Sequence, residues 1–396
     1  MTIVMTFLVI YLLIVIINPV TTFFHELGHA LPMLAFSKEG KVEMFIGSHG
    51  DYDKSLKLRF GRLHCYIRLT QLLLMKPSGI CRGSRAENSY AQQLTILYGG
   101  AVFSLSLAIV SLIAVLNYEH IPAIRLIGFT VLLFAVIDLV MNLLPRTIKD
   151  KKGHRFYNDG YMILFTIRTR RFHENITTAF RHYSAENYRD AAYELNYIVQ
   201  QGFCNEILLR ALCSALLLNR QHDEAAQCLQ TLGKISSFDA TDHFHAGYLA
   251  SRGNDPETAM KHYRLALDAD PENAVVLNNL GYELAEKGEY MEASVHLEKA
   301  IDLAPELAFA YDNRGYAHLM QGELEEGKRL IERSLELDPT NAYAYRNMGL
   351  YYMQIQHYGA AIALFNKAIQ LDATTPRAKA YLEQAWMTAA SRQHLQ

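Results

Sequence analysis

Hydrophobic and polar positions divide this chain sharply. Roughly the first 145 residues carry long apolar runs, whereas the rest carries short apolar stripes among evenly spread charges. A helix needs about 20 apolar residues to cross a bilayer core of about 30 Å. Three runs qualify: Ile3 to Phe36, interrupted by Asn18-Pro19; Leu94 to Leu116; and Ile124 to Leu144. The first exceeds one span, which predicts tilt, a kink at Pro19 or an extension beyond the membrane. It lacks a basic leader and a small-residue cleavage site, so it is expected to remain as a span.

The connecting segments predict an orientation. Residues 37–85 hold ten Lys/Arg against four Asp/Glu, and residues 146–171 hold eight against two. The turn between them, residues 117–125, holds one Arg and one Glu. Basic loops stay cytoplasmic. The expectation is a multi-pass protein of the cell membrane, with its N-terminus outside and its C-terminal domain in the cytoplasm. Within the first loop, Lys41–Gly47 and Leu56–Leu69 alternate like strands around Gly-Ser-His-Gly-Asp. A small β-hairpin or sheet against the membrane face is expected.

Net charge of -2 gives no sign of a nucleic-acid partner. The five cysteines are scattered and odd in number, and none has CxxC spacing. Reduced thiols in a cytosolic setting are expected.

The candidate chemistry lies at the end of the first apolar run, as His25-Glu26-Leu27-Gly28-His29. On a helix, i and i+4 place both imidazoles on one face, a spacing that suits two ligands of one tetrahedral Zn²⁺. Glu26 then stands where a general base takes a proton from water polarised by the metal. Chance copies of HExxH occur on solvated helices. Here the motif follows an apolar span, where ionisable groups need partners and a metal supplies one. His64, His120 and His154 have no ligand-spaced partner and read as interfacial or loop residues. Tyr98-Gly99-Gly100-Ala101 reads as small-residue helix packing.

The third apolar run ends in Asn142-Leu143-Leu144-Pro145, and Asp159-Gly160 follows a basic loop. With the HELGH segment, this resembles the site-2 protease family of intramembrane metalloproteases, over about residues 1–165. The resemblance implies zinc held by His25, His29 and Asp159, Glu26 as the base, and Asn142 bonding substrate backbone or supporting the oxyanion. It departs from the family in spacing: thirteen residues, 146–158, separate Pro145 from Asp159. Asp150 stands nearer the usual distance but is followed by Lys151. Gly160 favours Asp159, since glycine permits a tight turn that aims the carboxylate back. Asp150 remains the alternative.

Behind the spans a 34-residue period appears. It links Gly247, Gly281, Gly315 and Gly349; Ala225, Ala259, Ala293, Gly327 and Ala361; and Pro271, Pro305 and Pro339. This resembles the tetratricopeptide pattern over about Thr178–Thr375. Ala191 and Cys213 suggest weaker first units, giving about six repeats. Pro376–Arg392 would cap them, with Trp386 sealing the last interface. Stacked helix pairs offer a concave surface to a peptide or protein. Asn279, Asn313 and Asn347 are expected to line it.

The expected architecture is mainly α. A three-span metalloprotease domain occupies residues 1–170, and an α-solenoid of tetratricopeptide repeats occupies 171–396. The expected activity is zinc-dependent cleavage of a transmembrane protein substrate within the bilayer. Two alternatives stand beside it: a non-proteolytic membrane scaffold with structural zinc, and a single-anchor zincin of the soluble type fused to repeats.

Overall fold

The computed structural model describes the chain except residues 1, 38–39, 49, 51, 69, 71–78, 84–87, 150–152, 154 and 394–396. Asp150 and His154 therefore lie outside the described residues. The chain divides into two compact units. One comprises Met1–Ile148 with Arg155–Arg181, and the other Lys149–His154 with His182–Gln396.

Three long helices build the first unit: α1 (Thr2–Phe36), α2 (Tyr90–Asn117) and α3 (Pro122–Leu143). All three are long and apolar enough to cross a membrane. α1 continues through Pro19 and Pro32 as one helix, with the Thr21 and Thr22 hydroxyls both donating to the Asn18 carbonyl. A Ser89/Gln92 capping box starts α2. Pro122 starts α3, where a missing N–H costs nothing.

The packing of these helices is inside out for a water-soluble protein. Leu105, Ile109, Val110, Ile113 and Leu116 of α2, and Leu133, Val136, Ile137 and Val140 of α3, are between 42% and 66% exposed. The buried faces instead carry small residues: Gly99, Gly100, Ala101, Ser104, Ala108 and Ser111 on α2, and Gly128 and Ala135 on α3. Large apolar side chains outward and small ones between helices is the pattern a lipid surround selects.

The loop after α1 forms a four-stranded mixed sheet: β1 (Val42–Ile46), β2 (Leu56–Phe60), β3 (Leu63–Ile67) and β4 (Gly79–Gly83), in the order β2-β3-β1-β4. The expected second strand is two strands. It folds back at Gly61, whose φ of 58° suits glycine, and β2 pairs antiparallel with β3. β1 runs parallel to β3, and β4, which lacks alternation, pairs antiparallel with β1. One sheet face presents Val42, Met44, Ile46, Leu63 and Cys65 to Phe23, Leu27, Ala30, Met33 and Leu34 of α1.

After α3, β5 (Thr147–Lys149) and β6 (Arg155–Tyr157) pair, and α4 (Asp159–Arg168) follows. A 3₁₀ turn then leads into α5 (His173–Ser184). His173 bonds the Asn88 carbonyl at 2.9 Å, and Arg170 lies over the Tyr90 ring, so this segment is tied to the start of α2.

After the end of α5, the second unit continues with α6 (Tyr188–Gln200). Five helix pairs follow: α7 (Glu206–Leu218) with α8 (His222–Ile235), α9 (Ala240–Arg252) with α10 (Pro256–Ala269), α11 (Ala274–Glu286) with α12 (Tyr290–Leu303), α13 (Ala308–Met320) with α14 (Leu324–Leu337), and α15 (Ala342–Gln354) with α16 (Tyr358–Leu371). Helix α17 (Ala378–Gln393) caps the stack. The periodic glycines Gly247, Gly281, Gly315 and Gly349 let the helices of four of these pairs cross closely. A methyl at Gly281 would meet Leu297 at 2.5 Å, and one at Gly349 would meet Phe365 at 2.6 Å.

Two expectations for this unit need correction. Trp386 is 58% exposed, and its neighbour Ala385 is the fully buried one. The rotation of α17 turns the small residue inward, where the helix approaches closely. Asn313 and Asn347 do not line an open surface either, being 4% and 0% exposed. Asn313 donates to Asn278 and Asn347 to Asp312, both at 2.9 Å, which ties first helices of successive repeats together. Such buried amides need partners, and the stack itself supplies them.

Candidate metal centre

Within the first unit, His25 and His29 on α1 face the first residue of α4. Asp159 Oδ2 lies 2.9 Å from His25 Nε2 and 3.1 Å from His29 Nε2, and the two Nε2 atoms are 3.3 Å apart. Ligands at about 2.0–2.1 Å around a tetrahedral zinc stand about 3.3 Å from each other. The three atoms thus form one slightly compressed face of such a tetrahedron. Among the described residues this is the group of His, Cys, Asp and Glu able to hold a metal. Both histidines are nearly fully buried.

The space facing these atoms is kept open by a glycine. A methyl at Gly100 would sit 2.5 Å from both Nε2 atoms, where a bound ion belongs. Gly99 does the packing: a methyl there would strike the Gly28 carbonyl at 2.0 Å, and one at Gly28 would strike the Gly99 carbonyl at 2.2 Å. The donor set, its spacing and the cleared volume all fit zinc.

The other ring nitrogens are also held. His29 Nδ1 lies 2.7 Å from the Ile96 carbonyl. His25 Nδ1 lies 2.8 Å from Asp138 Oδ2 and 3.0 Å from Ser104 Oγ. Ser104 donates to the same Asp138 oxygen at 2.6 Å, and Asn142 donates to Asp138 Oδ1 at 3.0 Å. Asn142 joins the centre through Asp138, one helical turn away on α3.

Glu26 is 6% exposed. Strand β4 passes directly over it, since a methyl at Gly79 would lie 2.3 Å from Glu26 Oε1. A larger residue at this position would have to displace the Glu26 side chain.

The thirteen-residue insertion does not carry Asp159 away from Pro145. The β5–β6 pairing returns the chain, and Asn158 locks the return. Its N–H donates to the Arg146 carbonyl, and its Oδ1 accepts from the Arg146 and Tyr161 amides. Its Nδ2 lies within 3.2 Å of the Met141, Asn142 and Leu144 carbonyls. These are end-of-helix carbonyls that need donors. Gly160 serves differently from its expected role. It lies in the helix, and a methyl there would strike the Leu143 carbonyl at 2.1 Å, so its value is close approach of α4 to α3.

Sequence reasoning missed Asp138, Ser104 and Asn158, and read Gly100 as helix packing only. Asp138 carried a readable signal, as an acid inside an apolar span.

Comparison with known proteins bears on the second unit. Sequence families described as tetratricopeptide repeats match residues 243–273, 262–293, 308–341 and 342–375, and one described as TPR repeat matches 281–322. No curated protein matches the chain. Among solved structures, MamA from Desulfovibrio magneticus RS-1 is 21% identical over 43% of this chain and 97% of its own, with a TM-score of 0.35. Pseudomonas aeruginosa pilF is 24% identical over 48% of this chain and 86% of its own, with a TM-score of 0.36. YrrB, described as a TPR protein with an unusual peptide-binding site, is 22% identical over 48% of this chain and 97% of its own, with a TM-score of 0.34. By its helix pairs and its family matches, the C-terminal region of this chain carries tetratricopeptide repeats.

Proposed function

We propose that this chain is a zinc-dependent intramembrane endopeptidase of the site-2 type, with its repeats serving as a protein-interaction platform. The observation that carries the reading is the convergence of His25 Nε2, His29 Nε2 and Asp159 Oδ2 beside Gly100, inside a bundle that is apolar on its outer surface. His25, His29 and Asp159 would hold the metal. When bound, zinc supplies Lewis acidity toward a water and a peptide carbonyl. Glu26 takes the proton from the attacking water and delivers it to the leaving amine. The small-residue interior around Glu26 keeps bulk water out and strengthens each polar contact. Beside Glu26, edge strand β4 gives an unwound substrate segment a backbone to lie along.

The charge bias of the loops favours an orientation with the repeats in the cytoplasm and the substrate entering from the lipid. The substrate is a transmembrane segment of another protein, and a peptide or protein ligand on the repeats recruits it or governs access. The rival scaffold reading keeps the repeats and dispenses with chemistry.

The test uses full-length protein reconstituted in vesicles with single-span model peptides whose spans contain a Gly/Asn-rich break. The reading expects cleavage inside the span by the native protein and none by Glu26→Gln with zinc retained. Equal cleavage by both proteins would contradict it.

A further inference from the structure

Asp138 is the one acidic residue within α3, and the proposed reaction does not use it. Its carboxylate is held from three sides. Oδ2 lies 2.8 Å from His25 Nδ1 and accepts from Ser104, and Oδ1 accepts from Asn142. Asp138 and Asn142 are i and i+4 on α3, so one helical face presents both. Ser104 stands eight residues after Ile96 on α2, on the face that also carries Gly100 and the carbonyl bonded by His29.

We propose that Asp138 is a positioning residue of the metal centre, fixing the ring of His25 so that Nε2 points at the ion. The assignment rests on the metal reading above. An imidazole has one N–H in its neutral form, and whichever nitrogen carries it cannot ligate. With Asp138 Oδ2 2.8 Å from Nδ1, and Ser104 Oγ, itself a donor to Oδ2, 3.0 Å from Nδ1, the N–H sits on Nδ1 and the lone pair sits on Nε2. His29 obtains the same result from a neutral backbone carbonyl. The two histidines are thus held by acceptors of different charge, and the charged one makes His25 the stronger donor to metal. Asn142 acts at one further remove, by fixing the free oxygen of Asp138.

The test measures zinc affinity of detergent-purified full-length protein by competition with a chromophoric chelator, together with the visible spectrum of the cobalt(II)-loaded form. Variants are Asp138→Ala, the isosteric Asp138→Asn, Asn142→Ala, and Asn142→Ala in the Asp138→Ala background. Asp138→Ala is expected to weaken zinc about 10–100-fold and Asp138→Asn by about tenfold, each with shifted cobalt bands. Asn142→Ala is expected to weaken zinc alone and to add nothing once Asp138 is gone. If both Asp138 variants bind zinc within about twofold of the native protein and leave the cobalt bands unchanged, Asp138 is packing only and the assignment fails while the metal site stands. Native protein that takes up no zinc overturns the metal reading and this assignment together.

Discussion

Asn158 and Arg146 face each other across the base of the β5–β6 pair. The Asn158 N–H donates to the Arg146 carbonyl at 3.3 Å, and the Arg146 N–H donates to Asn158 Oδ1 at 3.0 Å. The insertion between Pro145 and Asp159 is thus closed where it begins, and Asp159 stays near the end of α3 despite its distance in sequence. Asn158→Ala keeps the backbone half of this closure but removes the side-chain half, and takes the amide donor from the Met141, Asn142 and Leu144 carbonyls. The expected outcome is a 10–100-fold loss of zinc affinity with the histidines intact, measured by chelator competition. Asn158→Asp, which keeps the Oδ acceptor but loses the amide donor, is expected to fall between.

Gly100 and Gly99 are adjacent yet should fail differently. Gly100→Ala places a methyl 2.5 Å from Nε2 of both His25 and His29. It is expected to abolish zinc binding while the helices stay assembled. Gly99→Ala drives a methyl into the Gly28 backbone. It is expected to lower the unfolding midpoint, since overpacking costs about 1–3 kcal/mol. Zinc content and thermal unfolding, measured on both variants, separate the two effects.

These neighbours show where the sequence was legible. Composition sufficed for the three spans, because lipid demands apolar length. The 34-residue period sufficed for the repeats, because each pair repeats one packing problem. The cluster of His25, His29 and Asp159 was legible as HELGH plus a resemblance that pointed to Asp159. What was not legible depended on which way a helix turns. Gly100 and Gly99 look alike in sequence, and only packing decides which faces the histidines. Trp386 and Ala385 exchange their expected places for the same reason. The parallel pairing of β1 with β3 and the unpatterned β4 were also hidden, since alternation marks strands but not their order.

Asp312 gives the repeats a pH dependence. Its carboxylate is fully buried, accepts from Asn347, and has a second oxygen without a hydrogen-bond partner. Burial pushes it up to about 7, partly offset by the charge of Arg346. The folded chain therefore holds a proton that the unfolded chain releases near pH 4. Stability from this group is fully present below about pH 4 and is lost as pH rises through about 7. Asp312→Asn keeps an acceptor for Asn347 and removes the titration. Hydrogen exchange of α13 and α15 in the full chain, corrected for intrinsic rates, is expected to slow from pH 8 to pH 6 in the native protein. In the variant it should not change.

The orientation has its own reporter. Cys204 is exposed at the start of the repeats, whereas Cys65, Cys213 and Cys228 are buried. In intact cells, a membrane-impermeant maleimide is expected to leave Cys204 unlabelled, and to label it once the inner face is opened. Labelling from outside would reverse the proposed topology.

The central claim is that His25, His29 and Asp159 hold one metal ion, and zinc K-edge X-ray absorption of the purified full-length protein tests it most directly. The account predicts four light-atom ligands at about 2.0–2.1 Å, with imidazole outer-shell scattering from two histidines. It also predicts that the bound zinc disappears in Asp159→Ala. A spectrum without two-imidazole scattering, or one unchanged in Asp159→Ala, would contradict it.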